Sequence, residues 1–137
     1  MKNSTIFLLL LAFNFTGCAE ISKKDIIYLN GYWEIEEVNS HSEKFIPRGG
    51  NVLIDFYAID SMAGYRKKLA PSLGSKYNSS LNKFNFLIKN IDGNYYLVYR
   101  EALEPWKEKI KSISQNRLQL EHQDKIYTYR RHKKISL

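Results

Sequence analysis

The strongest constraint on the fold is a hydrophobic alternation with a period of two, which runs through most of the chain after residue 30. In one segment Phe84, Phe86 and Ile88 fall on one side of a predicted strand, and in a later segment Leu118 and Leu120 do the same. Successive side chains of a β-strand point to opposite faces, so this spacing indicates strands that bury one face. No long segment has the spacing of an amphipathic helix. The pattern therefore predicts an all-β protein.

About eight such strands can be counted between residues 30 and 131, joined mostly by short turns such as the hairpin signal Asp92-Gly93. A sheet of consecutive antiparallel strands has two edges, and closure into a barrel removes both. We therefore expect an antiparallel up-and-down β-barrel of about eight strands, with a β-sandwich as the alternative. The length of 137 residues allows one domain, and 44% hydrophobic with 26% charged residues excludes both a disordered chain and a protein with several membrane spans.

The first residues have the organisation of a bacterial export signal. Lys2 precedes an uncharged apolar run at residues 6–13, whose length of about 12 Å as a helix is far below the ~30 Å of a hydrocarbon core. Residues 1–17 are therefore predicted to be a signal peptide and not a membrane span. The sequence FTGC, which ends at Cys18, resembles a lipobox, in which small residues precede a cysteine that becomes the lipidated N-terminus.

Cys18 is the predicted lipid attachment site. Its sulfur would accept a diacylglycerol and the freed amine an acyl chain such as palmitate, and each buried CH₂ contributes about 0.8 kcal/mol to membrane binding. Cys18 is the only cysteine, and a lone thiol is of little use to an exported protein because it cannot pair within the chain. The alternative is an ordinary secreted protein with a chance cysteine near the cleavage site. Because Ala19 and not Asp follows Cys18, we expect an outer-membrane lipoprotein.

These signals divide the chain into residues 1–17, the signal peptide; 18–29, a lipidated tether; 30–131, the barrel; and 132–137, a basic C-terminal tail. The formal net charge is +7. The basic tail is most simply a solvated segment, and the alternative is contact with anionic lipids or polymers of the envelope. Charge and interleaved tyrosines would also suit nucleic-acid binding, but export argues against it.

The two ends of the predicted barrel resemble small bacterial lipocalin-like lipoproteins. Gly31-Tyr32-Trp33 stands at the start of the first strand, where lipocalins have Gly-x-Trp, and residues 110–120 and 127–131 resemble the last strands of that family. The resemblance implies a short barrel behind a lipobox. It also implies that the Trp packs at a closed barrel end beneath an Arg from the C-terminal region.

In this sequence the resemblance assigns the barrel-end pair to Trp33 and either Arg130 or Arg131. A guanidinium over an indole gains about 0.5–2 kcal/mol from cation–π attraction. Arg130 is the preferred partner because it shares strand parity with Ile126, an apolar residue expected to face inward. This pair would be structural.

No group of residues indicates catalysis. The histidines His41, His122 and His132 form no HxH or HExxH spacing, and no CxxC is present, so we predict neither a metal site nor a cofactor. Glu34 and Glu36 share a strand face opposite the predicted core, and we expect them to face solvent and not to act as a catalytic pair. The protein is therefore expected to be non-enzymatic.

The side chains expected inside the barrel are large and apolar. They either fill the barrel or line a cup for one small ligand, and their bulk favours filling. The predicted ligand contacts are the aromatic members Trp33, Phe56, Phe86, Tyr96 and Trp106. The full inward set is Trp33, Ile35, Val52, Ile54, Phe56, Phe84, Phe86, Ile88, Tyr96, Val98, Trp106, Ile110, Leu118, Leu120 and Ile126.

Two functional hypotheses follow. The first is a lipid-anchored, non-enzymatic outer-membrane lipoprotein that binds a small apolar or amphipathic ligand inside its barrel. The second is a structural or protein-interaction module whose barrel core is solid and whose surface contacts another envelope protein.

Overall fold

The computed structural model describes residues 20–47, 54–71, 77–79 and 83–133. They contain one 3₁₀ helix, Lys23–Leu29, followed by ten strands. The strands are β1 (Gly31–Asn39), β2 (Lys44–Phe45), β3 (Ile54–Asp60), β4 (Ala63–Pro71), β5 (Tyr77–Ser79), β6 (Phe84–Ile91), β7 (Asn94–Tyr99), β8 (Trp106–Ile113), β9 (Arg117–His122) and β10 (Lys125–Arg131).

The strands form one antiparallel sheet that closes on itself. Neighbours along the sheet are β10, β9, β8, β7, β6, β4, β3 and β1, and β10 pairs with β1 to complete a barrel of eight strands. The short strand β2 pairs with β1 on the same side as β3, and β5 pairs with β4 on the same side as β6. Each short strand therefore pairs with the same side of its partner strand as the long strand that follows it in the chain. The predicted all-β, closed up-and-down barrel is confirmed.

The barrel has two distinct ends. The closed end carries the 3₁₀ helix, the first residues of β1, the last residues of β10 and the turn between β6 and β7. The open end carries the turn between β1 and β2, the segment 100–105 between β7 and β8, and the turn between β9 and β10.

The 3₁₀ helix belongs to the barrel and is not part of a free tether. Ile26 and Leu29 are 2% and 0% exposed and join the core. At the helix start the Asp25 carboxylate accepts hydrogen bonds from the Ser22 backbone N–H at 2.8 Å and from its hydroxyl at 2.9 Å, an arrangement that stabilises helix N-termini. The predicted tether of residues 18–29 is therefore shorter than expected, because two apolar side chains of its second half are buried.

Trp33 lies at the closed end beneath an arginine, but the partner is Arg131 and not Arg130. The Arg131 guanidinium carbon is 3.9 Å from the Trp33 ring centroid, and the indole N–H donates to the Leu29 carbonyl at 2.9 Å. Arg130 points outward and pairs with Glu34. The preference for Arg130 was wrong because the inward parity of β10 belongs to Tyr129, which is 5% exposed, and not to Ile126.

The predicted inward parity is confirmed on β6, β8 and β9. Phe86, Ile88, Ile110, Leu118 and Leu120 are all at most 4% exposed and form one cluster. On these strands only one face is strongly apolar in sequence, so alternation identifies the buried face. Three further members of the predicted set, Ile35, Phe84 and Trp106, are partly buried and pack against the same cluster.

On β3 and β7 the predicted parity is wrong. Phe56 and Tyr96 are only partly buried, whereas Tyr57 and Leu97 are 0% exposed. Phe56 packs against Tyr32 outside the barrel, with ring centroids 4.8 Å apart. Both strands carry apolar residues on both faces, so alternation did not distinguish the inner face from the outer one. Val98 and Ile126 have the same outward parity and are partly buried. Ile54 shares this parity and lies outside the core cluster, but it is 0% exposed. Val52 lies outside the described residues.

Gly31 provides the room that the Trp33–Arg131 contact needs. Its φ is +114°, and a Cβ at this position would lie 2.8 Å from Arg131 Nη1. We expect Gly31→Ala to lower the free energy of unfolding more than Gly93→Ala. Gly93 also has a positive φ, of +83°, but no heavy atom lies within 4 Å of its added Cβ. Gly93→Ala should cost about 1–2 kcal/mol and Gly31→Ala about 1–3 kcal/mol more, as measured by denaturant unfolding.

The variant Arg131→Met tests whether the excess cost of Gly31→Ala comes from contact with the Arg131 side chain or from the positive φ of residue 31. In that background Gly31→Ala should lose most of its excess cost, because the guanidinium that the new Cβ would contact is gone. Equal costs for the two glycine substitutions in the wild type would show that Gly31 does not make room for Arg131.

Candidate functional site

Apolar side chains fill the closed half of the barrel. Trp33, Leu97, Leu118 and Leu120 are 0% exposed, and Ile110 is 2% exposed. Together with the 3₁₀ helix they form a continuous core. Among the described residues, apolar side chains therefore occupy the interior of this half.

The open half contains a cavity of about 300 Å³. Its lining residues come from β4, β8, β9 and β10, so the cavity lies between strands that are distant along the chain. Charged and aromatic side chains dominate the lining, in contrast to the apolar cup expected from the sequence. The lining residues are Arg66, Lys68, Trp106, Glu108, His122, Tyr127 and Tyr129.

A buried ion pair spans this cavity. Arg66 on β4 donates from Nη1 to Oε1 of Glu108 on β8 at 3.1 Å, and the two side chains are 9% and 8% exposed. The guanidinium carbon of Arg66 also lies 5.3 Å from the ring centroids of both Tyr99 and Trp106. Arg66 is thus held by one carboxylate and by two aromatic faces, which is the environment that suits a planar guanidinium.

Burial dominates the electrostatics of the cluster. It raises the pKa of Glu108 above the usual value for a glutamate, although the Arg66 guanidinium acts in the opposite direction. Burial also raises the pKa of Tyr99 and Tyr129 well above that of an exposed tyrosine, so both hydroxyls remain neutral donors.

Some polar atoms of the cluster have no hydrogen-bond partner within the described protein. They include Nε of Arg66, Oε2 of Glu108 and the hydroxyl of Tyr99. Buried polar atoms are costly when they are unpaired, and most in folded proteins find a partner. The cluster therefore retains donor and acceptor capacity for a polar molecule in the cavity.

Lys68 is the most accessible charge of the lining. Its side chain is 51% exposed, and its Nζ lies 3.5 Å from Oδ1 of Asp55, whose side chain is 7% exposed. Both residues follow the inward parity of their strands, because Asp55 alternates with the outward Phe56 and Lys68 is two residues from Arg66. Lys68 thus places a cation where an entering ligand would meet it.

The five predicted ligand contacts are not brought together. Trp106 lines the cavity. Phe86 lies deeper in the core, with its ring centroid 5.5 Å from that of Tyr99, and Trp33 lies at the closed end. Phe56 and Tyr96 have outward parity, so neither can contact a ligand inside the barrel.

The charged lining was missed in the sequence, although one signal for it was present. Glu108 stands between Trp106 and Ile110 at the parity predicted to face inward, so the alternation already placed a carboxylate inside. Arg66 and Lys68 share one parity of β4, and two charges on one strand face are typical of an exposed face, whereas Arg66 is 7% exposed.

No cluster of three or more metal-ligating side chains occurs among the described residues. His122 lies against the Trp106 ring, and its Nδ1 is 2.9 Å from the Lys107 carbonyl oxygen. Among the residues that the structure describes, no helix is long and apolar enough to span a membrane.

The chain has structural relatives among solved proteins. No model of a known protein family matches the chain, and no curated protein matches it. Among solved structures, the chain is similar to a lipocalin-like protein from Bacteroides uniformis, with 10% sequence identity and a TM-score of 0.48, over 77% of this chain and 99% of that chain. The class of this fold, a closed antiparallel up-and-down barrel, follows from the strand pairing of the chain itself.

We expect the Arg66–Glu108 pair to contribute little net stability, although each partner depends on the other. Arg66→Met or Glu108→Met alone should cost about 3–5 kcal/mol in the free energy of unfolding, because each leaves a buried charge without its partner. The double variant should lie within about 1 kcal/mol of the wild type. Urea unfolding of all four proteins measures this. A double variant as unstable as the single variants would instead make the pair a requirement of the fold.

Proposed function

We propose that this protein is a lipid-anchored lipoprotein of the bacterial outer membrane, non-enzymatic, whose barrel binds a small amphipathic ligand in the open-half cavity. The observation that carries the proposal is a cavity of about 300 Å³, lined by charged side chains, in the open half of a barrel whose closed half holds the apolar core of the described residues. This volume is at the lower end of the range for small-molecule sites, about 300–1,000 Å³. The ligand is therefore small, and a long apolar chain does not fit.

The lining favours a ligand with an anionic head group, such as a carboxylate or phosphate. Arg66 and Lys68 are its cations and Glu108 its only carboxylate among the described lining residues. Glu108 is engaged by Arg66, and Asp55 lies 3.5 Å from Lys68 Nζ. Lys68, whose side chain is 51% exposed, is the cation of the lining that solvent reaches, and it would meet the head group beside Asp55. The rings of Trp106 and Tyr127 supply an apolar surface for the rest of the ligand.

Binding without catalysis is supported by the nature of these side chains. The described residues that line the cavity include no serine, threonine or cysteine to serve as a nucleophile, and its one carboxylate is held by an arginine. Such a site is suited to retaining a molecule by charge and shape.

The second candidate is a structural or protein-interaction module. The packed closed half favours it, because a barrel filled by its own side chains needs no ligand. In that case the charged cluster would be only a buried polar network, and the outer surface would contact a partner protein of the envelope.

A small fluorescent amphipathic anion, 8-anilinonaphthalene-1-sulfonate, tests the cavity. We expect the folded wild-type protein to bind this probe saturably near one-to-one stoichiometry, and Lys68→Met to raise the Kd about tenfold by removing a charge-assisted contact. Lys67→Met is the matched control, because it removes the same charge from the adjacent residue with outward parity on β4, and its Kd should stay within about twofold.

Two results would contradict ligand binding at this site. Equal weakening by both lysine variants would place the probe elsewhere on the protein. Absence of saturable binding by a folded wild type, together with no co-purifying small molecule in native mass spectrometry, would favour the solid interaction module.

The lipid anchor is supported by the leader and by the lone Cys18. Cys18→Ser should abolish labelling by a fatty-acid analogue and release the protein from membranes, since a hydroxyl cannot form the thioether. The control Ala19→Ser retains the thiol and should label and fractionate like the wild type. If Cys18→Ser also labels and stays with the membrane, the lipoprotein proposal is wrong.

A further inference from the structure

We infer that the closed end of the barrel is a membrane-docking surface, in which Ile27 and Tyr28 of the 3₁₀ helix rest on a lipid bilayer beside Lys23 and Lys24. These four residues are called the docking face below. The inference rests on the lipid anchor proposed at Cys18, and it goes further because it fixes which end of the barrel faces the bilayer.

Apolar side chains lie on two sides of the 3₁₀ helix, one buried and one exposed. Ile26 and Leu29 are buried in the core, whereas Ile27 and Tyr28 are 61% and 40% exposed. A 3₁₀ helix has three residues per turn, so residues 26 and 29 share one side and residue 27 lies on another, in line with Lys24. The helix thus presents an isoleucine and a tyrosine to solvent next to two exposed lysines. Apolar and aromatic side chains with basic neighbours are typical of surfaces that lie at a membrane interface.

The chain before the helix determines where the anchor leaves the barrel. The structure describes the chain from Glu20 onward, and Glu20 and Ile21 lie beside the turn Asp92–Gly93 at the closed end. Cys18 is two positions before Glu20 in the sequence, and an extended chain spans at most about 3.6 Å per residue. A lipid attached at Cys18 would therefore join the chain within about 7 Å of Glu20.

This distance limits how the barrel can be oriented relative to the membrane. The head-group layer of one leaflet is about 5–8 Å thick, so a spacer of about 7 Å keeps the closed end at the membrane surface. A nine-residue strand such as β1 is up to about 30 Å long. When the barrel stands upright on its closed end, the open end lies that far from the anchor and out of contact with the bilayer.

Apolar contact carries the docking, with charge in a secondary role. Exposed basic and acidic residues nearly balance at the closed end, so electrostatic attraction alone is weak. Lys111 and Arg130 are exposed there but are paired with Glu121 and Glu34. The other exposed basic residues are Lys23, Lys24, Arg117 and Lys133, and the exposed acidic residues are Glu20, Asp60 and Asp92.

The open end offers a control because it also carries exposed apolar side chains. Leu103, in the segment between β7 and β8, is fully exposed, and Phe45 on β2 is 62% exposed. Exposure alone would make Leu103 a better membrane contact than Ile27. The anchor geometry predicts the opposite order.

Quenching of an introduced tryptophan by brominated lipid distinguishes the two ends. Ile27→Trp and Leu103→Trp each place a fluorophore at an exposed position and leave the core unchanged. The lipidated proteins, produced with their complete leader, are reconstituted into phosphatidylethanolamine–phosphatidylglycerol vesicles with or without bromine on the acyl chains. The wild type, with Trp33 and Trp106, supplies the background.

We expect brominated lipid to quench Ile27→Trp several-fold more than the wild type, while Leu103→Trp stays at the wild-type level. Quenching of Leu103→Trp, or wild-type quenching of both variants, would overturn the docking face. If the Cys18→Ser assay shows no native lipidation, Cys18 of the mature chain is coupled to a thiol-reactive phospholipid in the same vesicles. Failure of the anchor and failure of the docking face then give separate results.

Discussion

The structure depends on the seam between β1 and β10, because this pairing turns an open sheet into a barrel. Trp33 and Arg131 face each other in the register of that seam, and their side chains stack at 3.9 Å. The same guanidinium donates to the Tyr28 and Asn30 carbonyls and to the Gln115 carbonyl. One side chain therefore links the seam to the 3₁₀ helix and to the turn after β8, which fixes the closed end as a rigid unit.

The buried Arg66–Glu108 ion pair lies in the open half of the barrel, beyond the packed closed end. Arg66 and Glu108 come from strands that are not neighbours, and they meet only because the sheet curves back on itself. A buried ion pair is a poor source of stability, since the cost of desolvation offsets most of the attraction. Donor and acceptor atoms that lack a protein partner among the described residues are consistent with a site that receives a polar molecule.

The proposed membrane contact and the proposed ligand site lie at opposite ends of the barrel. In the proposed orientation the closed end, with Ile27 and Tyr28, lies on the bilayer, and the cavity beside Lys68 faces the aqueous phase. The packed half of the barrel separates the two. A ligand would then enter from the aqueous side and not directly from the membrane, which agrees with a cavity of head-group size and not one for a long acyl chain.

The sequence by itself determined the features that depend on neighbouring residues. Alternation identified the buried face of β6, β8 and β9, and Asp92-Gly93 indicated a turn whose φ angles are indeed positive. Gly-x-Trp located the closed end. Only the tertiary structure decided the inner face of β3 and β7, because both faces of those strands are apolar and the register around the closed barrel makes the choice. The tertiary structure also decided that Arg131 contacts Trp33 and that Arg66 and Glu108 lie inside the barrel. Each of these two charges is buried because its partner lies on a distant strand, and the sequence around either residue does not indicate that partner.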